Sequence, residues 1–403
     1  MNANNVIRPQ KRIDIAYLMN LNIQSYGSDN LYPQRMYDLI QNSPTGAGCL
    51  DRYQTFIEGN GLRNTHFSEY VCNRKGDTVD DLYRLISQDI AYYRGFALHV
   101  NYNSAAEIIE VQHIPFQDCR LEEEDEDGQV HFINYHPDWT GEGTRRGKPL
   151  IVNKKTVKKF YTFNPIQKVV MSQILASGGI EQYQGQILWI SMDGRYQYPK
   201  PIYDKVITCL STDEGLDNVK YRNVRNGFML AGMFIHKKGV SYEVDENGNP
   251  IESKDDYDFS KSLDVFQGDA NCCSIMDITL NSEDDEPKFI NVEGTNYDSK
   301  FTVTDSSTVE RIYSAFQQEP WYCIRTGKLG FSGDVLEQSY EYYNSVVNKE
   351  RRAISRALKR IFDRWHELAN PSDDYEIEPL PYVSNKSVEE SNEGTPINNR
   401  RSY

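Results

Sequence analysis

The feature that most constrains this fold is one long stretch, residues 317–368, in which a Gly- and Pro-marked segment leads into a helical pattern. Apolar residues recur there at steps of four and three residues, which places them on one stripe of a helix. The stripe comprises Leu336, Tyr340, Tyr343, Val347, Ile354, Ala357, Ile361, Trp365 and Leu368. No Gly or Pro interrupts it. The sequence therefore predicts one uninterrupted helix, roughly 50 Å long at 1.5 Å per residue.

Residues near both ends of the predicted helix also favour helix formation. Asp334 stands where an N-cap belongs, and Glu337 follows three residues later, as in a capping box. Cationic residues concentrate in the C-terminal half, where they favour the helix dipole. These are Arg351, Arg352, Arg356, Lys359, Arg360 and Arg364. We assign residues 334–370 to the helix.

Composition narrows the class of protein. The chain has 403 residues and 38% hydrophobic content, enough for a core in two or three domains. Its net charge of -15 argues against a protein that grips DNA or an anionic membrane by bulk attraction. Seven scattered Cys without a Cys-x-x-Cys pair fit a reducing compartment. The longest apolar run, residues 228–235, is too short to span a bilayer, so we expect a soluble, unsecreted protein with no membrane partner.

The first half of the chain reads as an α+β unit, residues 1–198. Helical patterns begin after Tyr32, after Pro44 and at Val79, and end at Gly or Pro signals. The apolar period then changes from 3.6 to 2, which predicts strands over residues 96–102, 107–113, 119–123 and 130–135, and later over 185–191. Residues 141–165 read as a Gly- and Lys-rich connection between strands.

The second half alternates helix and strand. Pro199 and Pro201 start a helix that we extend over residues 199–230, and residues 231–295 form a β-rich excursion. A returning helix covers residues 296–318, and residues 319–333 form a loop before the long helix. Residues 371–403 are polar, and we expect them to be flexible.

No catalytic or cofactor site emerges from the motifs. Residues 141–149 resemble a phosphate loop, but Pro149 occupies the required Ser or Thr position. Residues 245–250 imitate an EF-hand, yet Pro250 replaces its obligatory Gly. His113 and Cys119, or Cys272 and Cys273, lack further ligands at zinc-like spacing. We therefore expect no metal, no cofactor and no enzyme activity.

The order of these elements resembles the portal proteins of tailed bacteriophages. The resemblance is carried by the Tyr-Pro-Lys-Pro-Ile-Tyr-Asp stretch at residues 198–204, by residues 218–227, by residues 312–316 with Glu319-Pro320-Trp321, and by the helix over residues 337–364. It implies an α+β fold with a wing (1–198), a first stem helix (199–230), a β-rich clip (231–295), a second stem helix (296–318), a tunnel loop (319–333) and a long C-terminal helix (334–370) in the wing or crown.

The resemblance also implies a function. Such a chain would form a homo-oligomeric ring of twelve subunits at one capsid vertex of a virion assembled in the host cytoplasm. Double-stranded DNA would pass through its channel in packaging and ejection. The terminase large subunit, a head-tail adaptor and the major capsid protein would be its partners.

The resemblance assigns DNA-facing side chains to the tunnel loop. These would be Trp321, Tyr322, Arg325, Lys328 and Phe331. The alternative is that Arg325 and Lys328 solvate an exposed loop while Trp321 packs beneath it. A second cationic set, Lys220, Arg222 and Arg225, would line the stem channel or, as we prefer, pair with acids of a neighbouring subunit.

Two other functions stay open. The chain could be a different capsid-assembly or adaptor protein. It could also be a metal-dependent nucleic-acid enzyme with an unrecognised acidic site. Ring formation separates the portal function from both.

Overall fold

The computed structural model describes residues 16–226, 230–237, 242–244, 247, 250–252, 274–280, 288–290, 297–330, 332–366, 371–372 and 374–382. For the helix and strand residues between 222 and 303 the description is of the backbone alone. The chain divides into two units. One comprises residues 1–210 and 310–403, and the other, Ser211–Val309, is inserted between them.

Four helices open the first unit: α1 (Tyr32–Asn42), α2 (Pro44–Glu58), α3 (Thr65–Ser68) and α4 (Val79–Tyr93). Local chemistry explains their starts. Pro stands in the first turn of α1 and α2, where no backbone donor is lost. The Ser43 hydroxyl caps α2 by accepting from Gly46 N at 3.0 Å. Thr78 and Asp81 form a reciprocal capping box on α4.

A six-stranded sheet supports these helices. In chain order its strands are β3 (Gly95–Tyr102), β4 (Ile108–Ile114), β5 (Cys119–Leu121), β6 (Phe132–Tyr135), β9 (Lys158–Thr162) and β10 (Gln186–Ser191). They lie in the order β4-β3-β10-β9-β6-β5, antiparallel except for the parallel pair β9 and β10. The predicted α+β class is confirmed.

Residues 141–165, which the sequence predicts to be a connection between strands, contain regular secondary structure. Besides β9, they hold a short hairpin of β7 (Thr144–Arg145) and β8 (Lys148–Pro149), and helix α5 (Gln167–Ala176) follows them. A further hairpin, β1 (Tyr17–Leu18) with β2 (Ile23–Gln24), precedes α1. Strand β9 is Lys-rich and exposes two of its five side chains, which hid it from a search for apolar alternation.

The inserted unit follows the predicted order of helix, strands and helix. Helix α6 (Ile207–Asn226) enters it and α7 (Tyr297–Ala315) leaves it. Between them lie β11 (Leu230–Lys237), β12 (Tyr242–Val244), β13 (Pro250–Glu252), β14 (Ser274–Leu280) and β15 (Lys288–Ile290). Strand β11 is central, parallel to β14 and antiparallel to β15, while β12 and β13 form a hairpin.

The predicted uninterrupted helix over residues 334–370 is wrong. The structure has two helices, α9 (Gly333–Val346) and α10 (Asn348–Phe362), separated at Val347. The side chain of Arg351 explains the break, because its Nη2 donates to Asn344 O at 2.7 Å. In a continuous helix that carbonyl would accept from the backbone four residues on. The N-cap is also different: Ser332 Oγ accepts from Val335 N at 3.4 Å, so Asp334 lies inside the first turn.

Part of the tail expected to be flexible belongs to the body. Tyr375 and Ile377 are buried, and the backbone of Ile377 bridges to Leu62. Hydrogen bonds of 2.9 Å join Arg63 N to Glu376 O and Glu378 N to Gly61 O. The flexible-tail prediction is therefore wrong for residues 374–382. Residues 383–403 lie outside the described residues. Among the helices that the structure describes, none is long and apolar enough to cross a membrane.

Candidate functional site

The predicted tunnel loop, residues 319–333, is partly helical. Helix α8 (Glu319–Arg325) occupies its first half, so the irregular portion begins at Thr326. Pro320 explains the helix start, since it lies in the first turn and its fixed φ suits a helix. The prediction of a loop over the whole segment is wrong for these seven residues.

The junction between α7 and α8 is fixed by a buried amide. Gln317 adopts a left-handed conformation (φ 57°), which turns the chain between the two helices. Gln318 is then fully buried and makes three side-chain hydrogen bonds. Its Nε2 donates to Cys49 O and to Tyr343 Oη, each at 2.8 Å, and its Oε1 accepts from Arg52 Nη1 at 2.8 Å. These bonds tie the base of α8 to α2 and α9.

The Tyr343 hydroxyl completes this network. It donates to Phe316 O at 3.0 Å, and the residue is fully buried. Burial raises the pKa of Tyr343 above its ordinary value, so the hydroxyl stays a neutral donor. Helix α9 thus supplies a hydrogen bond to the carbonyl at the C-terminal end of α7, where no backbone donor remains.

Trp321 packs into an aromatic cluster at the same base. Its ring centroid lies 5.6 Å from that of Phe56 and 5.1 Å from that of Tyr343, both edge-to-face. The Arg52 guanidinium lies over the indole at 5.4 Å from its centroid. This is the arrangement of the alternative interpretation, in which Trp321 lies beneath the exposed cations.

The C-terminal end of α8 is the exposed part of the segment. Gly327 is left-handed (φ 73°), and Lys328 N donates to Cys323 O at 2.9 Å, which is a Schellman cap. All residues from Arg325 to Gly330 are exposed. Arg325 Nη1 donates to Tyr313 Oη at 3.5 Å, and Lys328 Nζ lies 5.5 Å from the centroid of the Tyr322 ring. Phe331 lies outside the described residues.

The second cationic set is only partly described. Lys220 Nζ, on α6, lies 2.8 Å from Asp305 Oδ2 on α7 and 3.6 Å from Asp217 Oδ1. The hydrogen bond that Lys220 Nζ donates to the Asp305 carboxylate is the main cause that raises the pKa of Lys220. Both acids belong to its own chain, whereas the prediction for this set prefers acids of a neighbouring subunit. The side chains of Arg222 and Arg225 lie outside the described residues.

Sequence reasoning missed the residue that fixes the segment. A Gln directly after a helix is usually exposed, and nothing in its sequence context distinguished Gln318 from Gln317. In the described part of the chain, no group of three His, Cys, Asp or Glu side chains could hold a metal ion.

Comparison with known proteins gave structural matches alone. No family model and no curated protein matches the chain. A chain in the neck of a native gene transfer agent particle, computed with C12 symmetry, matches at 12% identity and a TM-score of 0.46, covering 89% of this chain and 88% of that chain. A chain of the virion of the native gene transfer agent particle matches at 10% identity and a TM-score of 0.46, covering 94% and 89%.

A portal protein is also among the matches. It is an HK97-family phage portal protein from Corynebacterium diphtheriae, 10% identical, with a TM-score of 0.32 and coverage of 69% of this chain and 75% of that chain. The chain is similar to these neck, virion and portal chains.

Proposed function

We propose that this chain is a portal-type protein, forming a ring at one capsid vertex through which double-stranded DNA is packaged and ejected. One observation carries the proposal. A helix, β-rich unit and helix are inserted into an α+β body, and the return helix α7 leads directly into an anchored helix with an exposed cationic end. The portal resemblance implies the same order, as stem, clip, stem and tunnel loop, and this agreement supports the proposal.

The charge distribution suits a channel in which DNA slides. Affinity for DNA depends on the number of phosphates that cations neutralise, and each such contact releases counterions. A chain of net charge -15 that presents two cations, Arg325 and Lys328, on one short exposed segment would touch the phosphates without holding them. In this proposal the DNA-facing surface is residues 325–330, with Tyr322 beside Lys328.

The base of the segment 319–333 anchors α8 and does not face the DNA in this proposal. Trp321, Gln318 and Tyr343 hold α8 against the body, so that the exposed end projects from a fixed point. Lys220 contributes to the helix pair of the inserted unit through Asp305. Arg222 and Arg225 keep their proposed roles in lining the channel or pairing with a neighbouring subunit. The ring as a whole would serve as the docking platform for the terminase large subunit, the head-tail adaptor and the major capsid protein.

The mass and shape of the purified protein test this function. A ring of twelve 46.6-kDa chains has a mass of about 560 kDa, which light scattering measures directly, and electron micrographs would show annular particles. Monomers and dimers alone, across a wide range of concentration, would contradict the portal function. Metal-dependent hydrolysis of DNA or nucleotide that is lost on substituting particular carboxylates would favour the enzyme instead.

A further inference from the structure

The exposed face of α10 carries three cations in a row. Arg352, Arg356 and Lys359 recur at steps of four and three residues, which places them on one side of the helix. All three are exposed, and no described acidic group lies within ion-pair distance of any of them. In a chain with fifteen more acidic than basic side chains, three neighbouring cations without an acidic partner form a distinct surface.

These cations line a groove. It has a volume of about 450 Å³, and its opposite wall is formed by Asp374, Tyr375 and Glu376. The acids of that wall share one cation: Arg63 Nη1 lies 2.8 Å from Glu376 Oε2 and 3.6 Å from Asp374 Oδ2, and Arg63 Nε lies 3.9 Å from Glu378 Oε1. On its α10 side, the groove presents three cations to an incoming group. We call it the basic groove.

The strongest concentration of negative charge lies between β5 and β6. Six consecutive acids, residues 122–127, follow β5 directly. The chain turns there, with Gly128 N donating to Asp125 O at 3.0 Å, and Glu123, Glu126 and Asp127 are exposed. Two side chains of the same surface are near: Lys159 Nζ lies 2.6 Å from Glu122 Oε1, and His131 Nε2 lies 2.8 Å from Asp125 Oδ2. We call residues 122–127 the acidic turn.

The two surfaces do not pair with each other within the described part of the chain. Glu122 and Asp125 lie within ion-pair distance of Lys159 and His131, whereas no described acid of the turn lies within that distance of Arg352, Arg356 or Lys359. The acidic turn of a chain therefore does not neutralise its own basic groove.

We propose that the basic groove binds the acidic turn of a neighbouring copy of this chain. Complementary charges on two different surfaces of one chain favour a head-to-tail contact, which closes into a ring when the rotation per subunit permits it. The inference rests on the proposed ring and names the surfaces that join its subunits. A phosphate-bearing polymer is the other possible occupant of the groove, and the experiment separates the two.

Charge exchange tests the contact. The groove variant is Arg352→Glu, Arg356→Glu, Lys359→Glu, and the turn variant is Glu123→Lys, Glu126→Lys, Asp127→Lys. Each alone should raise the concentration needed for half-maximal assembly by at least about tenfold, because like charges then meet across the contact. A 1:1 mixture of the two variants should restore assembly, since each reversed surface then faces a complementary one. The sixfold variant should assemble as wild type does.

A matched control separates the contact from net charge. The triple variant Lys148→Glu, Lys154→Glu, Lys155→Glu changes the net charge by the same amount at exposed positions outside both surfaces, and it should assemble normally. Arg356→Glu alone, which leaves the rest of α10 unchanged, repeats the test with one substitution. Wild-type assembly should also weaken as salt rises from low to high concentration.

Each result decides the inference. If the groove variant assembles into rings as well as the wild-type protein does, the contact is refuted and the proposed ring remains. The same holds if the 1:1 mixture of the two variants fails to restore assembly. A groove variant that assembles normally but loses retention on immobilised heparin or DNA assigns the groove to a polyanion and refutes the contact. Wild-type protein that stays monomeric refutes both the contact and the proposed function.

Discussion

The two ends of the segment 318–330 differ in burial and in contacts. At the base, Gln318 and Trp321 connect α8 to α2 and α9 through buried hydrogen bonds and ring contacts. At the other end, residues 325–330 are all exposed. The base should therefore determine stability, whereas the exposed end should affect function alone.

The difference also divides the residues that the sequence grouped together. Trp321 belongs to the base, whereas Arg325 and Lys328 belong to the exposed end. An aromatic and a cation next to each other in sequence need not contact the same ligand. Substitutions at the two ends separate these roles.

The largest effect on stability is expected for Gln318→Leu. The substitution removes three hydrogen bonds and leaves Cys49 O and Arg52 without that partner in a buried site. It should lower the free energy of unfolding by about 3 kcal/mol. Urea unfolding followed by circular dichroism measures this. The neighbouring exposed residue gives the control, since Gln317→Leu should change stability by less than about 0.5 kcal/mol. Equal effects at the two positions would show that the buried amide does not anchor α8.

Trp321→Ala should come next. The half-buried indole loses its contacts with Phe56, Tyr340 and Tyr343, at a cost of about 2 kcal/mol. Trp321→Phe keeps an aromatic ring in the cluster and should lose less than about 1.5 kcal/mol. Thermal melting of the three proteins compares them. Unchanged stability in Trp321→Ala would show that Trp321 does not help to anchor the base of α8.

Tyr343→Phe tests the hydroxyl at the end of α7. The ring stays, but Phe316 O loses its donor and Gln318 Nε2 loses an acceptor. A loss of about 1 kcal/mol follows, again measured by urea unfolding. Tyr342→Phe, at a neighbouring exposed side chain, should have no measurable effect. A neutral Tyr343→Phe would mean that solvent or another group replaces the hydroxyl at no cost.

The smallest effect on stability is expected at the exposed end. Arg325→Ala with Lys328→Ala should change the free energy of unfolding by less than about 0.5 kcal/mol, because both side chains are exposed. DNA packaging or retention in assembled particles should nevertheless fall. Arg325→Lys with Lys328→Arg keeps the charges and should package normally. Unchanged packaging in the alanine variant would remove the role assigned to these cations.

Elements with a clear period were predictable from the sequence. The strands of the six-stranded sheet that alternate apolar and polar residues, such as β3 and β4, lie within one or two residues of their predicted bounds. The helix, strand and helix order of the inserted unit was also predictable, but the helix predicted over residues 199–230 is wrong in its bounds, since α6 covers Ile207–Asn226 and β11 begins at Leu230. Local signals were sufficient for the order of the elements there.

The features that depend on distant partners were not predictable. The break at Val347 depends on Arg351 reaching back to Asn344, which apolar periodicity cannot reveal. Residues 374–382 join the body because Tyr375 and Ile377 fill sites beside residues far away in sequence. Gln318 is buried only because Cys49, Arg52 and Tyr343 converge on it. The exposure of Arg325 and Lys328 was predictable, whereas the buried contacts of Gln318 that anchor their helix were not.

A three-dimensional reconstruction of the purified assembly by electron microscopy tests the account most directly. We predict a closed ring in which residues 325–330 of every subunit lie nearest the central axis, with the Trp321 side chain behind them against Phe56. A ring whose 325–330 segments lie on its outer surface, or protein that forms no ring, would contradict the proposed function of this segment.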